Sequence, residues 1–64
     1  MPRDRSRLAT DASQVRVHRE RALELVRQAE SAANRRRAEA FRAIAEVLEI
    51  RARALDAELA ELAS

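Results

Sequence analysis

Residues 14–18 have the sequence Gln-Val-Arg-Val-His, and the conformation of this stretch decides the fold. Polar and apolar side chains alternate with a period of two, and two of the five residues are β-branched. This pattern predicts a short, half-buried strand. The alternative is a helix that begins at a cap provided by Asp11 or Ser13, with Val15 on its apolar face and Val17 exposed.

From Arg19 onward the apolar residues recur at steps of three and four, which predicts helix. The first apolar stripe consists of Ala22, Leu25, Val26, Ala29, Ala32 and Ala33. The second consists of Ala38, Phe41, Ala45, Leu48, Ala52, Leu55, Leu59 and Leu62. The two registers do not join, and Asn34 at the break tolerates the left-handed conformation that ends helices. We therefore predict two helices that separate near Asn34, with one continuous helix built on an 11-residue repeat as the alternative.

The size and composition of the chain predict self-association. A chain of 64 residues has a marginal core of its own, and disulfides, a metal ion or oligomerisation usually reinforce such chains. The sequence has no Cys, and its single His18 has no second His or Cys with which to bind a metal. We expect no metal and no cofactor. No Ser has a nearby base, so an enzyme is not expected.

The charge is distributed unevenly along the chain. All 13 basic residues are Arg. Residues 1–37 hold ten of them with five acidic residues, whereas residues 38–64 hold three with six acidic residues. The basic part of the chain predicts contact with a polyanion. No apolar run approaches the roughly 18–20 residues that a membrane span needs, so no membrane partner and a cytoplasmic location are expected.

With a strand at residues 14–18, the element order is strand, helix, helix. Over residues 13–48 the chain then resembles the ribbon-helix-helix family, to which the Arc and methionine repressors belong. Leu-Glu-Leu-Val-Arg at residues 23–27 looks like the core segment of that family's first helix. Arg-Ala-Glu-Ala-Phe-Arg at residues 37–42 is similar to its R-S-E-x-I-R stretch. The chain departs from the family at the junction, where Asn34 replaces a Gly.

The resemblance implies an intertwined homodimer that binds double-stranded DNA through a two-stranded ribbon in the major groove. Such a protein would act as a small transcriptional repressor, an antitoxin or a plasmid accessory factor. The residues implied to read base edges are Gln14, Arg16 and His18. Those implied to contact phosphate are Arg3, Arg5, Arg7, Arg35, Arg36 and Arg37. The implied dimer core consists of Val15, Val17, Leu25, Val26, Phe41, Ile44 and Leu48.

On this interpretation residues 1–12 form a flexible basic arm and residues 49–64 an amphipathic helical extension. The extension, with Leu55, Leu59 and Leu62, would mediate tetramer formation. An all-helical hairpin that forms a four-helix bundle, similar to Rop-type hairpins in its Ala/Leu layering, is the alternative fold. That hairpin, or a coiled-coil oligomer, would bind RNA or a protein partner.

Overall fold

The computed structural model describes residues 4–63, which form two long helices joined by a tight turn. Helix α1 spans Arg5–Ser31 and helix α2 spans Arg35–Ala63. Ion pairs join Arg16 to Asp56 and Arg19 to Glu49, so a later residue of α1 contacts an earlier residue of α2. The helices therefore run antiparallel as a hairpin. The hairpin measures 46 × 18 × 14 Å, and its radius of gyration is 14.6 Å, compared with about 11 Å for a compact domain of this length. The predicted mainly helical fold with two helices is confirmed.

The short strand predicted for residues 14–18 is not present. These residues lie within α1, and no strand occurs anywhere in residues 4–63. Val15 is half-buried and Val17 is exposed, as the helical alternative predicts. A helix satisfies its own backbone hydrogen bonds, whereas a lone strand leaves them unpaired until a second strand arrives. The ribbon of an intertwined dimer therefore has no counterpart in this part of the chain.

Helix α1 begins earlier than either interpretation of the sequence predicts. Its N-cap is Asp4, whose side chain accepts a hydrogen bond from the Ser6 amide at 2.9 Å. Residues 5–12, which belong to the predicted flexible arm, form the first two turns of α1. Leu8 and Ala12 are buried there against Leu55. Arg3, the remaining arginine predicted to contact phosphate from the arm, lies outside the described residues.

The turn between the helices uses Ala33, and not Asn34, in the left-handed conformation. Ala33 has φ = 57°, and the Asn34 amide donates to the Ala29 carbonyl at 2.8 Å, which closes α1 with a Schellman-type turn. Asn34 instead caps α2, because its side-chain oxygen accepts a hydrogen bond from the Arg37 amide at 3.1 Å. The predicted break at this point is confirmed, with Ala33 in the turn that follows the first helix and Asn34 as the cap of the second.

Replacing Ala33 by Gly should stabilise the hairpin by about 0.5–1 kcal/mol, because Gly adopts a positive φ without the steric cost that a Cβ imposes. Urea unfolding followed by the helical circular dichroism signal measures this change. The matched control is Ala9→Gly in the exposed part of α1, which should destabilise the hairpin by a similar amount. Destabilisation by both variants would contradict the turn geometry.

The contact between the helices is narrow and built largely from alanine. The buried apolar residues are Leu8, Ala12, Ala22, Val26, Ala29, Ala38, Ala45, Ala52 and Leu55. Six of these nine are Ala, and no large side chain in residues 4–63 is fully buried. Small side chains let the helices approach closely, but each removes little apolar surface from water. The core of a single hairpin is therefore thin.

The residues predicted for the dimer core and the extension lie mainly along the seam between the two helices of one chain. Val26 and Leu55 are buried, and a further group is half-buried, namely Val15, Leu25, Phe41, Leu48 and Leu59. Val17, Ile44 and Leu62 are exposed. Residues 49–63 continue α2 and pack along the first half of α1. Most of the residues predicted for the dimer core and the extension therefore pack between the two helices of one chain.

Candidate interaction surfaces

The three residues predicted to read base edges do not form one surface. All three are exposed on α1. Gln14 and His18 are four residues apart and share one side of the helix, whereas Arg16 projects from the other side. The Arg16 guanidinium lies 2.6 Å from the Asp56 carboxylate on α2. Arg16 is thus engaged within its own chain.

One flank of the hairpin is held by ion pairs between the helices. Arg16 pairs with Asp56, Arg19 with Glu49, and Arg42 with Glu30. Arg19 lies on the apolar seam of α1, where its neighbours along the stripe are Val15 and Ala22. Exposed ion pairs contribute little stability each, but a series of them fixes how the two helices align.

The arginines predicted to contact phosphate are divided between the two ends of the molecule. Arg5 and Arg7 lie at the start of α1, at the open end of the hairpin. Arg35, Arg36 and Arg37 form the first turn of α2, at the closed end. All five side chains are exposed. Because the hairpin is 46 Å long, the two groups act as separate basic patches.

The basic patch at the closed end is uncompensated within the described part of the chain. None of the ion pairs among residues 4–63 involves Arg35, Arg36, Arg37 or the nearby Arg27. The first turn of α2 also contains no acidic residue. Cations at a helix N-terminus are disfavoured by the helix dipole. The patch therefore presents an unbalanced positive potential to a binding partner.

The side of α2 that is turned away from α1 carries a second apolar stripe. It consists of Ala40, Ala43, Val47, Ile50, Ala54 and Ala57, which we call the α2 outer stripe, and all six residues are exposed. Val47 and Ile50 are 65% and 63% exposed, and the adjoining Ile44 is 48% exposed. Successive members are three and four residues apart, which is the spacing of a coiled-coil seam.

The spacing of the outer stripe is visible in the sequence, but this stripe is shorter than the inner stripe, our name for the apolar set of α2 that runs from Ala38 to Leu62 and faces α1. Helix α2 carries apolar residues on two faces, of which one is covered by α1 and the other is left uncovered. A helix that is apolar on two faces needs two partners. The single exposed valine of α1, Val17, lies on no such stripe, because the residues three and four positions away along α1 are all polar, namely Ser13, Gln14, Glu20 and Arg21.

Comparison with known proteins gave no match. No protein-family model, no curated protein and no solved structure matches the chain. The resemblance to the ribbon-helix-helix family thus remains one of sequence pattern. Within residues 4–63 neither helix is long and apolar enough to cross a membrane.

Proposed function

We propose that the chain is a protein-association module, a helical hairpin that pairs with a second copy through the α2 outer stripe. The assembly would contain four helices and so retains the bundle arrangement of the alternative fold. The observation that carries the proposal is the exposure of Val47 and Ile50 side by side on the outer stripe. Contiguous exposed apolar side chains at helical spacing are typical of surfaces that become buried in a complex.

The thin core of the single hairpin supports the same proposal. A seam made mainly of alanine removes little apolar surface from water, whereas pairing through the outer stripe adds larger side chains from both copies. Each exposed Val or Ile that becomes buried contributes on the order of 1–2 kcal/mol. The second copy would therefore provide burial that one 64-residue chain lacks.

The mass in solution tests the proposal. Sedimentation equilibrium should give about twice the 7.2 kDa of one chain, and the melting temperature should rise with protein concentration because dissociation accompanies unfolding. A mass of one chain across the accessible concentration range, with a melting temperature that does not depend on concentration, would refute self-association.

The basic patch at the closed end favours a second function, binding of nucleic acid, either double-stranded DNA or RNA, through phosphate. The exposed Arg27 and Arg35 have no ion pair within residues 4–63, and Arg suits bidentate contact with phosphate oxygens. Such binding is independent of sequence, since phosphates carry no base information. It does not require the base-reading set Gln14, Arg16 and His18.

For this second function, Arg27→Gln combined with Arg35→Gln should weaken binding to random-sequence duplex DNA or RNA. The slope of log affinity against log salt should fall by about two for each chain that contacts the nucleic acid. Fluorescence anisotropy with labelled DNA and with labelled RNA at several salt concentrations measures both effects. The matched control, Arg5→Gln combined with Arg7→Gln, removes the same charge from the open end. Equal loss in the two variants would contradict a site at the closed end.

A further inference from the structure

We propose that the two copies pair their α2 helices antiparallel along the outer stripe, with the two-fold axis between Val47 and Ile50. This inference rests on the proposed self-association and adds its orientation and register. An isologous contact of this kind uses the same patch on both copies, so the patch must be complementary to itself. The outer stripe meets that requirement in both side-chain size and charge.

The sizes of the stripe residues match when one copy is reversed against the other. Val47 lies against Ile50 of the second copy, and Ala43 lies against Ala54 of the second copy. The outermost layer joins Ala40 to Ala57 in the same way. Each layer of this antiparallel seam pairs residues of like size, with the β-branched side chains central and alanines at both ends.

The charges at the ends of the stripe decide between antiparallel and parallel pairing. The stripe continues by a four-residue step to Arg36 on one side and to Glu61 on the other. Reversal brings Arg36 opposite Glu61 of the second copy, and Arg37 close to Glu58 of the second copy. Parallel pairing would instead set Arg36 against the second Arg36, and Glu61 against the second Glu61, so that like charges repel in both end layers.

The flanks of the seam agree with the antiparallel arrangement. Glu46 and Arg53 border the stripe on the same side, and reversal places each beside the other in the second copy. The arrangement also gives a role to the arginines in the first turn of α2. There they would face the C-terminal end of the second α2, where the helix dipole is negative and Glu58 and Glu61 add to it.

Thiol cross-linking between copies tests the orientation. The chain has no native Cys, and Ala43 and Ala54 are both exposed. Ala43→Cys and Ala54→Cys are prepared as separate full-length chains that differ in mass by a tag, and are mixed, allowed to exchange, and treated with a short bifunctional maleimide. Antiparallel pairing predicts that the mixed 43–54 product forms at least several-fold faster than either homodimeric product. In a dimer of two Ala43→Cys chains, the introduced thiols would lie about 16 Å apart along the helix axis.

Three other results would overturn the inference, and they are distinguishable. Dominant 43–43 and 54–54 products would show parallel pairing. A lack of cross-linking in samples that still sediment as dimers would show that another face is used. Samples that sediment as single chains would refute the proposed self-association itself. Each cysteine variant is therefore sedimented before cross-linking, so that loss of the dimer is not mistaken for a different register.

Discussion

Replacing Val47 by Glu is expected to convert the associated protein to single chains. In the proposed dimer the Glu carboxylate would enter the central apolar layer twice, once from each copy, with no basic partner opposite it. Burying an unpaired polar or charged group is costly, so dimer affinity should fall on the order of a hundredfold or more. Because Glu is a better helix former than Val, the change does not weaken α2 itself. Sedimentation equilibrium measures the loss.

The control for this variant is Val17→Glu. Val17 is 64% exposed and Val47 is 65% exposed, so the two changes place the same side chain at equally exposed positions of the two helices. Val17 has charged neighbours and lies on no apolar stripe, so the control should leave the mass and the melting temperature almost unchanged. If both variants dissociate the protein to the same extent, the outer stripe has no special part in association.

Replacing Leu55 by Ala is expected to have the second largest effect, on folding stability. Leu55 is 3% exposed and packs against Leu8 and Ala12, with Val15 and Leu59 beside them. Truncating a buried Leu typically costs about 2–5 kcal/mol, through lost burial and the cavity that remains. In a hairpin with so few large core residues, that loss is a substantial part of the total stability. Urea unfolding at a fixed protein concentration measures it.

Leu62→Ala provides the comparison for the Leu55 variant. Leu62 belongs to the same inner stripe but is 44% exposed near the end of α2, so its truncation should cost well under half as much. The difference also tests the early start of α1. If residues 5–12 were a flexible arm, Leu55 would not be buried by Leu8 and Ala12, and the two truncations would have similar small effects on stability.

The helices and the break between them can be predicted from the sequence because the apolar stripes extend over many residues. The inner stripe of α2 extends over eight apolar positions, and its register cannot be continued through Asn34 into α1. Local chemistry near the break was less informative. Asn34 was equally suited to ending one helix or capping the next, and the hydrogen bond from the Arg37 amide uses it as a cap.

The alternation at residues 14–18 covers only five residues, which is too short to override the helical pattern on both sides of it. Val15 alone of the two valines meets the partner helix, and it belongs to a stripe that begins at Leu8 and passes through Ala12. The stripe is interrupted in the sequence by Arg19, a charged residue at a position that faces the other helix. Its ion pair with Glu49 is a tertiary contact that the sequence of α1 cannot reveal.

The candidate site was the least predictable part. The sequence resemblance implies a base-reading role for Gln14, Arg16 and His18, and these three side chains share an orientation only in a strand. The outer stripe of α2 has regular spacing, but its meaning depends on knowing that α1 covers the inner stripe and leaves this one exposed. Which of two apolar faces remains uncovered is a property of the hairpin, and not of either helix alone.

The most direct measurement is an isotope-filtered nuclear Overhauser experiment on a mixture of labelled and unlabelled chains, which detects contacts between copies only. Pairing through the outer stripe predicts contacts from the Val47 methyl groups to the Ile50 methyl groups of the other copy. Contacts between copies that arise from Val17 or another part of α1, with none from Val47, would contradict the account.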